Sequence, residues 1–236
     1  MARRRIQCSP MDELRERVET FRRLAAEHVI PVVIGDPDPL PRNPELPPGL
    51  YDVFDIVGHV DTGDLRFAPP AEARSPAAWR DREIDEDSPL GDMPSIGEGY
   101  VLTGDRPEDN IAIGDLTVDV TDGSVYYIDG DSYRFYCIDG YGLDEIEVDE
   151  FAPDVPSFFT HYVFGPGYPR LAAIVCNVRP YQTHKRRYIA PWMRLLAAAG
   201  LIDPPSRERS SPRLDLPDPD PAATLRAALK PRRNTV

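Results

Sequence analysis

Apolar residues at Met11, Leu14, Val18, Phe21 and Leu24 recur at steps of three and four, which gathers them on one face of a helix. Ser9 stands in front as an N-cap, Pro10 takes the first helical position, and Asp12 adds an acid to the first turn. The helix is expected to end before Pro31. Val32-Val33-Ile34 then reads as a short strand. The run GDPDPLPRNPELPPG over 35–49 is too rich in proline for helix or sheet and reads as a linking or wrapping loop. Leu50, Val53, Phe54 and Val57 fit a second, short helix, although a strand is possible at this length. Residues 68–91 mix Pro, Arg, Asp and Glu without a period.

From residue 95 the pattern changes to alternation. Strands are expected over 99–102, 110–113, 116–121, 124–129 and 133–138. Asp122-Gly123 fits a two-residue turn, which would pair Val120 with Val125 and Val118 with Tyr127 on a core face. Thr117, Asp119, Thr121, Ser124, Tyr126 and Ile128 would then share the wet face. Further on, Phe151, Val155, Phe158, Phe159 and Tyr162 predict a helix over 148–164, despite Pro153 and Pro156. A strand is expected over 172–178, and a helix from about 183 to 199 closed by Gly200. Beyond residue 203 the chain is poor in bulky apolar residues and rich in proline, so 204–236 is expected to be a disordered tail. One α+β domain over 1–203 follows, its antiparallel sheet packed by helices.

Charge changes this picture more than composition does. Residues 31–160 hold 7 basic and 30 acidic side chains, whereas the flanks together hold 20 basic and 10 acidic ones. So acidic a centre repels phosphates and attracts basic proteins. The competing reading is simple solubility. The start, MARRRIQCSP, has basic residues without an apolar segment behind them, and no run of the chain is apolar for 18 residues. Three widely spaced cysteines, Cys8, Cys137 and Cys176, suit a reducing compartment. A cytoplasmic protein is expected.

Chemistry finds few footholds. His59, Asp61 and Asp64 offer one imidazole and two carboxylates, a fragment of a divalent-metal site for a metal-assisted hydrolase. No second histidine follows at helical spacing, which favours a loop histidine beside solvated acids. Cys137 or Cys176 with His161 or His184 lacks any nucleophile signature. Gly97-Glu98-Gly99 precedes a strand and lacks the third glycine of a dinucleotide loop. Asp115, Asp119, Asp122, Asp129 and Asp131 miss the spacing of a calcium loop. HKRRY (residues 184–188) reads as a solvated face opening the late helix rather than a nucleic-acid patch. No cofactor and no catalytic residue is expected.

The stretches LPPGLYDVF (46–54), NIAIGDLTVDVTDGSVYYID (110–129) and VDEFAPDVPSFFTHYVF (148–164) resemble the SUKH superfamily, which includes the Smi/Knr-type regulators and many bacterial immunity proteins. That family has an N-terminal helix, a leucine-proline lead into a second helix, a twisted antiparallel sheet and a phenylalanine-rich helix. The resemblance covers roughly residues 11–164. GHVDTGD (58–64) stands where the family often carries an asparagine-glycine-glycine turn. The resemblance implies a non-enzymatic protein that neutralises a cognate toxin, frequently a nuclease. Asp115, Asp119, Asp122, Asp129 and Asp131 would then be its docking face for a basic partner, with neither nucleic acid nor membrane involved. The alternative for these acids is turn formation and solubility. An interaction module of the same fold is the alternative for the chain.

Overall fold

Ser9 caps the first helix as expected, its hydroxyl oxygen accepting from the Asp12 N–H at 3.2 Å. In the computed structural model, which describes residues 9–74, 94–102, 110–129 and 149–205, this helix is α1 (Pro10–His28). Its apolar stripe of Leu14, Val18, Phe21 and Leu24 is buried. Strand β1 (Val33–Ile34) follows, then a proline loop without regular structure, then α2 (Pro48–Phe54), which buries Leu50, Tyr51, Val53 and Phe54.

Next come strands that the pattern hides. β2 (Val60–Asp61) and β3 (Leu65–Phe67) make a hairpin where the sequence suggested a loop around His59. A short α3 (Ala71–Arg74) follows. β4 (Ser95–Leu102) and β5 (Asn110–Val118) are longer than expected, and β5 unites the strand expected over 110–113 with the first half of that expected over 116–121. β6 (Val125–Asp129) and β7 (Asp149–Ala152) complete a seven-strand antiparallel sheet in sequence order among the described residues. The protein is therefore α+β. The strand expected over 133–138 lies outside the described residues.

The β5–β6 register differs from the expected one. Val118 pairs with Val125 and Leu116 with Tyr127, so the connection is longer than the Asp122-Gly123 pair. Asp119 and Asp122 are the reason. Each folds its carboxylate back onto an N–H two residues on, Thr121 at 2.7 Å and Ser124 at 2.8 Å, and these local bonds widen the loop. The slip is two residues, so every side chain keeps its face. Val118, Val125 and Tyr127 are buried as expected, Leu116 is buried with them, and Val120 is only partly buried. Thr117 and Ser124, expected on the wet side, are buried too.

Three C-terminal expectations are corrected. The helix expected over 148–164 starts as β7, because Asp149–Ala152 pairs with β6. Only after the Asp154 N-cap does α4 (Val155–Phe158) begin, continuing as a π-helical turn, Phe159–Val163. Residues 172–175 of the strand expected over 172–178 are instead the end of α5 (Tyr168–Val175), which has Pro169 in its first turn. A short apolar run fits either state, and packing decided it. The helix expected from 183 begins only at α6 (Pro191–Ala198), while β8 (Thr183–His184) and β9 (Arg187–Tyr188) form a separate hairpin. Gly200 does close the helix, at φ 71°.

The helices cover one sheet face. Phe67 on β3 meets Phe158 and Phe159 at ring-centroid distances of 6.1 and 5.6 Å. Phe21 meets Phe164 and Trp192, each at 5.3 Å, and the Trp192 indole N–H donates to the Val163 carbonyl at 2.7 Å. Aromatic edges thus join α1, the π turn, α6 and the sheet into one core. The glycines of IGEG and AIGD serve this packing rather than phosphate binding. A Cβ at Gly97 would stand 2.7 Å from the Phe67 ring, and one at Gly114 would stand 2.5 Å from the Tyr127 ring. The described residues belong to a compact unit, Met1–Ser206. The tail expected over 204–236 lies, from residue 206 on, outside the described residues.

Candidate partner-binding face of the sheet

Alternation along the strands turns one residue in two away from the helices. On that face, which the described helices leave uncovered, the register sets Asp61 of β2 beside Arg66 of β3, Arg66 beside Glu98 of β4, and Glu98 beside Asp115 of β5. Three carboxylates and one guanidinium thus form a row across four strands. A second row runs Ser95, Thr117, Tyr126 and Glu150 over β4 to β7. Each position follows from a strand whose other residues, such as Val60, Leu65, Phe67 and Leu116, are fully buried.

The row is electrostatically uneven. Arg66 donates through Nε to Asp61 Oδ2 at 3.1 Å, a partly exposed pair of modest energy. At the other end, Glu98 and Asp115 are like charges directly opposite each other, an unfavourable arrangement. Partial burial, followed by the field of Glu98, pushes the Asp115 carboxyl above the usual aspartate range, and the Ser95 hydroxyl at 3.5 Å opposes this only in part. Beside it, the Thr117 hydroxyl is buried, without a hydrogen-bond partner among the described residues.

Of the five acids expected to bind a partner, Asp115 alone is placed on this open face with a described side chain. Asp119 and Asp122 sit at the β5–β6 turn and are occupied with its backbone. The Ser124 hydroxyl and N–H hold the Asp122 carboxyl below its usual range. Asp129 ends β6 opposite Gly114, and Asp131 lies outside the described residues. Sequence reasoning missed Arg66, Glu98 and Glu150 as members of this face, and read Asp61 only as part of a metal-site fragment. The alternation Gly97-Glu98-Gly99 was a usable signal for Glu98. The Asp61–Arg66 pair was invisible without the β2–β3 hairpin.

His59, Asp61 and Asp64 do not form a ligand set. His59 lies against β1, where a Cβ at Gly35 would stand 2.6 Å from its Nδ1. Asp61 is held by Arg66 and by the Gly63 N–H at 2.8 Å. Asp64 leans toward the core, where burial and then Asp61 push its carboxyl above the usual range. Near it the buried Tyr168 hydroxyl donates to Thr62 Oγ1 at 2.8 Å, and the Cys176 thiol donates to the Asp64 carbonyl at 3.3 Å. Burial, with the nearby Asp64 charge, raises the Tyr168 hydroxyl well above its ordinary pKa. Among the described residues, no group of three or more His, Cys, Asp or Glu side chains is placed to hold a metal ion. No helix among them is long and apolar enough to cross a membrane.

The fold and this face define an α+β protein with one helix-covered and one carboxylate-bearing sheet surface. Comparison with known proteins gives no matching family model, no matching curated protein and no matching solved structure.

Proposed function

We propose that this chain is a non-enzymatic, cytoplasmic immunity-type protein whose open sheet face docks on a basic, nuclease-type protein toxin and occludes it. The observation that carries the reading is the transverse row Asp61, Arg66, Glu98, Asp115 on the face the helices leave open. Nuclease surfaces are basic because they hold phosphates, and a fixed set of carboxylates on a rigid sheet competes for such a surface. The Glu98–Asp115 pair supports this reading. Like charges opposite each other weaken a fold, and a cationic partner relieves them on docking. The resemblance to the SUKH superfamily implies an N-terminal helix, a second helix, an antiparallel sheet and a phenylalanine-rich segment, the order in which α1, α2, the sheet and residues 151–164 follow here. The overall charge of −13 favours association with cations.

The test is inhibition of a basic nuclease toxin encoded beside this chain's gene, measured with the native protein and with Glu98→Lys/Asp115→Lys. Native inhibition that is weakened by salt and lost in the double variant supports the reading. Inhibition untouched by the charge reversal, or a cognate partner that is neither toxin nor basic, overturns it. The latter result would point to a general interaction module of the same fold.

A further inference from the structure

The basic cluster at residues 184–187 is built differently from the helix face that its sequence suggested. Thr183 pairs with Tyr188 and His184 with Arg187, which leaves Lys185 and Arg186 as the whole loop. Both have positive φ, 49° and 64°. A two-residue loop with φ positive at both positions is the hairpin turn that asparagine and glycine normally supply, because a Cβ in the left-handed region is strained. Here two long cationic residues occupy it in succession. Backbone strain held in place by surrounding structure is a reason to look for a role.

The base of this hairpin is fastened while its tip is free. Tyr188 is buried, its hydroxyl donates to the Asp203 carbonyl at 2.8 Å, and its ring meets Tyr181 edge-on at 6.3 Å. The Ile189 N–H donates to the Gln182 carbonyl at 2.9 Å. By contrast His184, Lys185, Arg186 and Arg187 are all exposed, and none forms an ion pair among the described residues, although the chain carries 40 acidic side chains. Solvated cations meant only to balance an acidic body would be expected to sit beside acids. Alternation places Gln182, His184, Arg187 and Ile189 on the same outward side, with Ile189 54% exposed.

We infer that the β8–β9 hairpin is a docking finger for an acidic segment of a protein partner, a contact separate from the acidic sheet face. Lys185, Arg186 and Arg187 supply charge-assisted hydrogen bonds to carboxylates, and Ile189 supplies an apolar contact beside them. Nucleic acid fits less well. A duplex brings far more negative charge against a body of charge −13 than a short peptide does, and a phosphate backbone gives Ile189 nothing to cover. A short acidic segment with an apolar residue matches the size and composition of the tip.

The experiment uses the full chain and two fluorescent probes: a nine-residue peptide of glutamates with one central leucine, and a 20-base-pair DNA duplex. Lys185→Asn/Arg186→Gly keeps the turn and relieves its strain, so its melting temperature is expected to equal or exceed that of the native chain. Peptide affinity is expected to fall about tenfold or more in that variant, the scale of losing two charge-assisted contacts. Arg187→Gln, which leaves the turn alone, should weaken the peptide in the same direction. Ile189→Ser should weaken the peptide and leave any DNA binding unchanged. Equal peptide binding by native and turn-variant protein overturns the inference. So does a duplex that binds the native chain more tightly than the peptide and is lost in the variants.

Discussion

Glu98 and Asp115 are direct partners across β4 and β5, two carboxylates facing each other on the open side of the sheet. Because burial and Glu98 raise the folded-state pKa of Asp115, this residue's contribution to stability is fully favourable below its unfolded value of 3.8. It is lost as pH rises through the folded value. Asp115→Asn is therefore expected to stabilise the protein at pH 7 by about 0.5 kcal/mol, discounted for solvent screening, and to give no gain near pH 3. Urea unfolding at the two pH values checks this. The same substitution should weaken toxin docking, so that stability and binding move in opposite directions.

The neighbouring acids should behave differently. Asp119 and Asp122 make the turn by accepting from Thr121 and Ser124. Asp122→Ala should lower stability at neutral pH. Since its carboxyl is held below the usual range, that contribution is present above pH 4 or so and lost as pH falls through the folded value. Amide exchange at Val118 and Val125 should quicken, while docking through Asp115 is retained. A binding loss at Asp122 as large as that at Asp115 would move the docking face to the turn.

Asp64 tests the core side of the β2–β3 turn. Its folded pKa is raised by burial first and by Asp61 second, so its charge weighs on the fold only above that value. Asp64→Asn is expected to add on the order of 1 kcal/mol at pH 7, the scale of a poorly compensated polar group. The gain should disappear below pH 3.5 or thereabouts. Native and variant unfolding curves that stay parallel across this range would contradict the assignment.

Arg17 fixes α1 to the π turn. Its Nη1 donates to the Thr160 carbonyl at 2.7 Å and to the Phe164 carbonyl at 3.0 Å, bonding backbone acceptors at the end of a helix. Arg17→Met keeps much of the aliphatic stem and leaves both carbonyls without the cation. A loss of about 2 kcal/mol is expected, the size of a charged hydrogen bond removed from a part-buried site. Arg17→Lys should recover a fraction of it, because an ammonium reaches one carbonyl more readily than two.

What the sequence by itself determined is local and periodic. The N-cap at Ser9, the buried stripe of α1, the short α2 after its prolines and the core face of β5 and β6 follow from spacing and side-chain chemistry alone. So does the concentration of acid in the middle of the chain. Tertiary structure decided what depends on partners distant in sequence. Packing under the sheet made a helix of residues 168–175, and pairing with β6 made a strand of 149–152. The hydrogen-bonded loop of Asp119 and Asp122 moved the hairpin register by two, which alternation could not detect because the faces are unchanged. The β2–β3 hairpin is too short to show a period. Yet it brings Asp61 and Arg66 into line with Glu98 and Asp115, and so assembles the row from residues 54 positions apart. Charge can be counted along a chain, but only strand register sets one carboxylate opposite another.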